Sequence, residues 1–137
     1  AWNYMMSIDT PASKKFAASF KKRWGADRVV ADPQESAYNM VYLWKQAVED
    51  AGTFDDNAVR EALVGQKFDA PQGPVEVMPN HHLSQTVRIG EINAEGGFTI
   101  LEETGVVLPQ AWNQKHPSSK GFACDWTDPS KGEKYKL

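Results

Sequence analysis

A single cysteine, Cys124, stands in 137 residues. It cannot close an internal disulfide, so it is a free thiol or half of a pair whose partner lies outside this sequence. No apolar run approaches the roughly 20 residues that span a bilayer. The one basic run that stands out is Lys21-Lys22-Arg23. It falls at the end of a predicted helix, where positive charge complements the helix dipole. With 15 basic against 18 acidic residues and a net charge of −3, nucleic acid is not an expected partner.

The chemistry of catalysis is equally sparse. His81 and His82 are adjacent on an extended stretch and point to opposite sides, while His116 is remote in sequence. A metal site needs three or four converging ligands, so these are read as surface histidines. Cys124, in Gly121-Phe122-Ala123-Cys124-Asp125-Trp126, has no adjacent base to activate it as a nucleophile. Gly25, Gly73 and Gly96-Gly97 fit no phosphate-cradling spacing. Asp55-Asp56-Asn57 opens like a calcium loop but lacks the later glycine and the closing glutamate, and reads as a helix start. Glu102-Glu103 is a solvated strand end. The expectation is no catalytic residue, no metal and no cofactor.

What is present is core material with clear punctuation. Hydrophobic residues make up 41% of the chain, including 5 Trp, 4 Tyr and 6 Phe, which is enough for one core and unlike a disordered composition. Trp2 to Ile8 suits a strand already under way at the amino terminus, as if the chain were cut from something larger. Pro11 fits the first position of a helix capped by Asp9 or Thr10. Ala12, Phe16, Phe20 and Trp24, joined by Ala17, make its buried stripe, and Gly25 ends it. After a brief extended Val29-Val30-Ala31, Asp32-Pro33-Gln34-Glu35 gives a cap, a proline and a glutamate three residues on. The predicted second helix buries Ala37, Val41, Trp44 and Val48, flanked by Met40, Ala47 and Ala51, and stops at Gly52. Asp55 caps a short third helix carrying Ala58, Val59, Ala62 and Leu63, closed by Gly65.

Beyond Gly65 the period changes to alternation. Val75 and Val77, Val87 and Ile89, and Phe98 and Ile100 mark successive strands, with a hairpin turn over Asn93 to Gly97. From Val106 periodicity fails. Pro109, Pro117 and Pro129 punctuate a tail whose Trp112, Phe122, Trp126 and Tyr135 suit packing against a surface.

These residues carry a resemblance. Ser7-Ile8-Asp9-Thr10-Pro11, Asp32-Pro33-Gln34-Glu35-Ser36-Ala37-Tyr38, Val41-Tyr42-Leu43-Trp44, Ala47-Val48-Glu49-Asp50-Ala51-Gly52 and Phe68-Asp69-Ala70-Pro71-Gln72-Gly73-Pro74 follow one order. Asn80-His81-His82, Val87-Arg88-Ile89-Gly90, Trp112-Asn113-Gln114 and Cys124-Asp125-Trp126 continue it. The chain resembles the C-terminal part of periplasmic solute-binding proteins of ABC transporters, in the branched-chain amino acid and amide (type I) class. The tail segments lean toward its urea and short-chain amide branch. The resemblance implies an α/β fold, a fragment of a two-lobed clamp: two main helices and one short helix, then a β-hairpin region and an irregular aromatic tail. It divides the chain into a helical part of a lobe with an opening strand (1–66), a crossing strand and terminal hairpin (67–105), and a tail (106–137), together one incomplete domain.

The same resemblance implies partners: urea, an amide or an amino acid as ligand, a membrane permease, and the missing amino-terminal part of the protein. It also implies a periplasmic location, or a lipid-anchored one at the surface of a Gram-positive cell. The turn that faces the cleft in that family corresponds to Asp32 through Ser36, which makes Glu35, Gln34 and Asp32 the candidate ligand contacts. A helix amino terminus offers free N–H groups, and a carboxylate there accepts N–H bonds from an amide. Glu35 has a second reading as a capping-box residue bonded back to Asp32. Tyr38 and Tyr4 are read as packing residues. Two other functions stay open: a ligand-sensing regulator on the same fold, and a small secreted enzyme using Glu35 and a histidine.

Overall fold

A computed structural model of the chain describes residues 1–110, 115–117, 120, 122–123 and 135–136. Trp112, Cys124 and Trp126 lie outside the described residues.

Local chemistry sets the first helix, α1 (Pro11–Trp24). The Thr10 hydroxyl accepts the Ser13 N–H at 3.1 Å, Pro11 occupies a position that needs no N–H, and Lys21, Lys22 and Arg23 sit in the last turn. Phe16 is buried with Phe20 and Ala17 against it, whereas Trp24 is exposed. The segment before α1 departs from expectation. Trp2 to Ile8 forms a single bridge, Trp2 to Arg88, followed by a turn from Met5 to Ile8. The Asn3 and Tyr4 N–H groups are taken by the Asp32 carboxylate instead of by a neighbouring strand.

That carboxylate also moves the start of α2 (Asp32–Ala51). Asp32 was expected to cap the helix, with Glu35 closing the box. Its Oδ1 is committed to Asn3 and Tyr4, so Ala31 becomes the cap and the Gln34 side chain accepts the Ala31 N–H at 3.2 Å. At the far end Gly52 takes the left-handed conformation (φ 64°) and its N–H closes on the Val48 carbonyl, as its position predicts.

The buried face of α2 corrects the sequence reading. Glu35, Asn39, Leu43 and Ala47 line it at four-residue spacing, while Val41 is 64% exposed and Trp44 49%. At about 100° per residue the expected stripe lies nearly opposite the observed one. The cause is the sheet on which α2 rests: Leu43 packs with Ala70, Val75 and Val77, and the polar Glu35 and Asn39 go inside with it. The helix α3 (Asp56–Leu63) follows, its first N–H groups capped by Asp55, with Val59 turned inward.

Four antiparallel strands follow in the order β1 (Lys67–Ala70), β2 (Gly73–Val77), β3 (Leu83–Ile92) and β4 (Phe98–Val107). Gly73, at φ 119°, turns β1 into β2. The predicted hairpin between β3 and β4 forms, with the Gly97 N–H donating to Asn93 Oδ1 at 2.8 Å. β4 runs through Val106 to Val107, past the point where the sequence loses its periodicity. The face of β3 is inverted relative to expectation: Ser84, Thr86 and Arg88 are buried, and Ile89 is exposed. A further pair, β5 (Phe122–Ala123) and β6 (Tyr135–Lys136), joins two pieces of the tail.

Two clusters hold the unit together. Tyr4, Ile8, Phe16 and Val30 form one; Leu43, Ala70, Val75 and Val77 form the other. A close approach ties β3 to the first cluster's segment. A Cβ added at Gly90 would stand 2.7 Å from Met5 Sδ and 2.8 Å from its Cε, with Phe98 Cβ at 3.4 Å. The atoms in the way are the tip of a flexible side chain that can turn aside, so Gly90→Ala is expected to cost at most about 1 kcal/mol. Thermal unfolding checks this, and a loss of several kcal/mol would mean that Met5 has nowhere to turn.

Candidate functional site

The first turn of α2 gathers the three candidate residues, and each has a different situation. Asp32 Oδ1 accepts two backbone N–H groups, from Asn3 at 2.9 Å and Tyr4 at 2.7 Å. It thereby ties the amino-terminal segment to the helix. Gln34 is exposed and caps Ala31 through Oε1. Glu35 is fully buried (0% exposed) and accepts the Gln72 N–H through Oε1 at 3.2 Å. It does not bond back to Asp32 as a capping-box residue would. The three residues thus share a turn but serve three neighbours.

Around them lies a polar network that the sequence did not announce. Asn39 and Gln72 are buried beside Glu35, and the Gln72 amide donates to Gln85 Oε1 at 3.2 Å. Arg88 reaches in from β3, donating to the Asn3 carbonyl at 2.6 Å and to Glu103 Oε2 at 2.7 Å. Burial pushes the Glu35 carboxyl above its usual range; the Asn39 side chain facing it, the Gln72 N–H and the Arg88 charge oppose that rise, and Asp32 adds to it. Tyr4, against Ser13 Oγ at 3.3 Å, also has its phenol raised by burial.

Two clefts flank the turn. One, of about 310 Å³, is bounded by Trp2, Met5, Val30, Ala31 and Phe98. The other, of about 480 Å³, lies between α1, α2 and β1, lined by Phe16, Tyr38, Tyr42 and Phe68 with Lys15 and Asp69 at its rim. Tyr42 and Phe68 stack at 5.0 Å, and Tyr38 lies 4.7 Å from both Phe16 and Tyr42. Burial, with the Tyr42 hydroxyl beside it, pushes the Tyr38 phenol up to about 12. None of Asp32, Gln34 and Glu35 lines either of these two clefts.

The histidines sit elsewhere. His81 and His82 are exposed between β2 and β3, where His82 Nδ1 lies 2.9 Å from the Asn80 carbonyl. Among the described residues no three His, Cys, Asp or Glu side chains gather as a metal site. No described helix is long and apolar enough to cross a membrane.

Comparison with known proteins bears on the fold as a whole. A family described as "Periplasmic binding protein domain" matches residues 1–118. Among curated proteins, the chain is 30% identical over 107 residues to "Limonene hydroxylase" of Geobacillus stearothermophilus, covering 78% of this chain and 20% of that one. It is 28% identical over 93 residues to "Leu/Ile/Val-binding protein homolog 6" of Brucella abortus (strain 2308), covering 66% and 24%. Among solved structures it matches a solute-binding protein of an ABC transporter from Rhodopseudomonas palustris HaA2 in complex with p-hydroxybenzoic acid. There the TM-score is 0.60 at 27% identity, over 77% of this chain and 29% of that one. The chain therefore spans between a fifth and a quarter of the length of these curated relatives.

Proposed function

Because this chain belongs to the periplasmic binding protein domain family, we propose that it forms part of the solute-binding component of an ABC transporter. In this reading it is the C-terminal portion of a two-lobed protein located outside the cytoplasm. It catalyses nothing. Binding energy shifts an open–closed balance toward the closed clamp, which a membrane permease then recognises. The observation that carries the proposal is the family match over residues 1–118, in a chain folded as three helices followed by an antiparallel sheet. The hydroxylase name belongs to a protein of which the match takes in 20%.

The solute proposed is urea or a short-chain amide, on the strength of the residue segments that resemble that branch. Such a ligand brings NH₂ donors and a carbonyl acceptor, and the first turn of α2 offers carboxylate and amide oxygens with an amide donor. Asp32, Gln34 and Glu35 are proposed as its site residues. Gln34 is exposed and can reach a solute directly. Asp32 Oδ1 is held by Asn3 and Tyr4, so Oδ2 is its oxygen for a solute, and Glu35 acts from beneath through Gln72. A second reading, an aromatic acid or a branched-chain amino acid, is favoured by the p-hydroxybenzoic acid complex and by the Brucella relative.

Calorimetric titration of the full-length protein with urea, acetamide, leucine and p-hydroxybenzoate tests both. Heat with urea or acetamide supports the first reading. Silence there with tight binding of leucine or p-hydroxybenzoate transfers the assignment to the second. Turnover of an amide, lost in Glu35→Gln, overturns the transport reading itself.

A further inference from the structure

The first turns of α2 meet the turn between β1 and β2 over three side chains removed from water: Glu35, Asn39 and Gln72. Their hydrogen bonding is incomplete. Glu35 Oε1 has the Gln72 N–H, but Glu35 Oε2, both terminal atoms of Asn39 and Gln72 Oε1 are buried with no hydrogen bond closed, the Asn39 side chain facing Glu35 without reaching bonding geometry. Native proteins leave few buried polar atoms in that state, because each has lost its water with nothing in return.

Counting donors and acceptors shows what is missing. If Glu35 is ionised, its Oε2, Asn39 Oδ1 and Gln72 Oε1 are three acceptors, and Asn39 Nδ2 is the one donor among the unpartnered atoms. A negative charge would sit beside two amide oxygens, with the Asn39 amide and the Gln72 N–H as the donors facing it. The charged groups facing it do not repair this. Arg88, from β3, is engaged with Glu103 and the Asn3 carbonyl. Asp32, on α2 itself, is a like charge. Tyr4, from the amino-terminal segment, is an uncharged phenol held against Ser13. The β1–β2 turn presents Gln72, which carries no charge. One proton on Oε2 changes the count to two donors and two acceptors, and removes the buried charge.

We propose that Glu35 is carried as a neutral carboxylic acid whose Oε2–H donates to one of the amide oxygens of Asn39 and Gln72. In that form it clasps α2 to the β1–β2 turn; ionisation loosens the clasp. The sense of the pH dependence follows from the burial. A carboxyl that holds its proton more tightly folded than unfolded contributes fully below the ordinary carboxylate pKa of about 4.3. Its contribution declines as pH rises from there through the higher folded value, beyond which the deficit is constant.

The test compares the intact protein with Glu35→Gln, which keeps the shape and supplies a permanent donor in place of the proton. Denaturant midpoints measured across the acidic-to-neutral range should fall with rising pH in the wild type. In E35Q that fall should be reduced, and at neutral pH E35Q should be the more resistant of the two. Infrared spectroscopy of the wild type supplies a readout independent of the variant's folding. A protonated-carboxyl stretch should persist above the pH at which exposed carboxylates have ionised. Absence of that band overturns the proposal, as does an E35Q protein whose midpoint falls with pH as steeply as the wild type's.

Discussion

Leu43→Ala is expected to remove about 2–5 kcal/mol of folding stability. Leu43 is 0% exposed and packs against Ala70, Val75 and Val77, with Leu63, Phe68 and Leu83 closing around them. The other buried positions of α2 are Glu35, Asn39 and Ala47. Leu43 is therefore the large apolar side chain that seats this helix on β1 and β2. Helices in proteins owe most of their stability to such a packed face and little to intrinsic propensity. Truncation loses the transfer energy of the leucine and leaves a cavity that strand residues from two sides cannot fill. Urea denaturation should show a lower midpoint at an unchanged slope. Leu43→Met, which conserves volume, should cost less than about 1.5 kcal/mol. A loss under about 1 kcal/mol for L43A would mean that α2 is seated by other contacts.

The misreading of that same face shows what the sequence held and what it did not. The starts of α1 and α3, the stop of α2 and the hairpin were legible because their causes are local. Thr10 bonds Ser13, Asp55 bonds Asn57 and Ala58, Gly52 closes on Val48, and Asn93 turns onto Gly97. Which side of α2 faces inward was not legible, because periodicity assigns apolar residues to the core and this helix buries Glu35 and Asn39 instead. β3 repeats the lesson, with Ser84, Thr86 and Arg88 inside and Ile89 outside. In both elements a distant partner makes polar burial tolerable: Gln72 for Glu35, Asn3 and Glu103 for Arg88. The candidate site was legible to the same extent. Capping chemistry located the turn at Asp32 to Glu35, but Asn39, Gln72 and Arg88 carry no local signal that would have placed them beside it.

Arg88 supplies the second large effect, and its direction depends on which partner is removed. The guanidinium side chain is 5% exposed, against 51% for Glu103 opposite it on β4. Glu103→Leu leaves a buried positive charge with the Asn3 carbonyl as its remaining bonded partner. Stranding a fully buried charge costs about 3–5 kcal/mol, and the half-exposed partner lowers the expectation here to about 2–3 kcal/mol. Arg88→Met removes the charge along with its bonds and leaves Glu103 free to turn to water, so its cost should be smaller, about 1–2 kcal/mol. The double variant R88M/E103L should then lose less than the two single losses added together, because once the guanidinium is gone Glu103 has no buried charge to neutralise. Denaturation of the four proteins at one pH gives the cycle. If Arg88→Met proves the more damaging change, the bond to Asn3, which pins the amino-terminal segment across β3, outweighs the ion pair. Arg88 then holds the first cluster to the sheet chiefly through a backbone carbonyl.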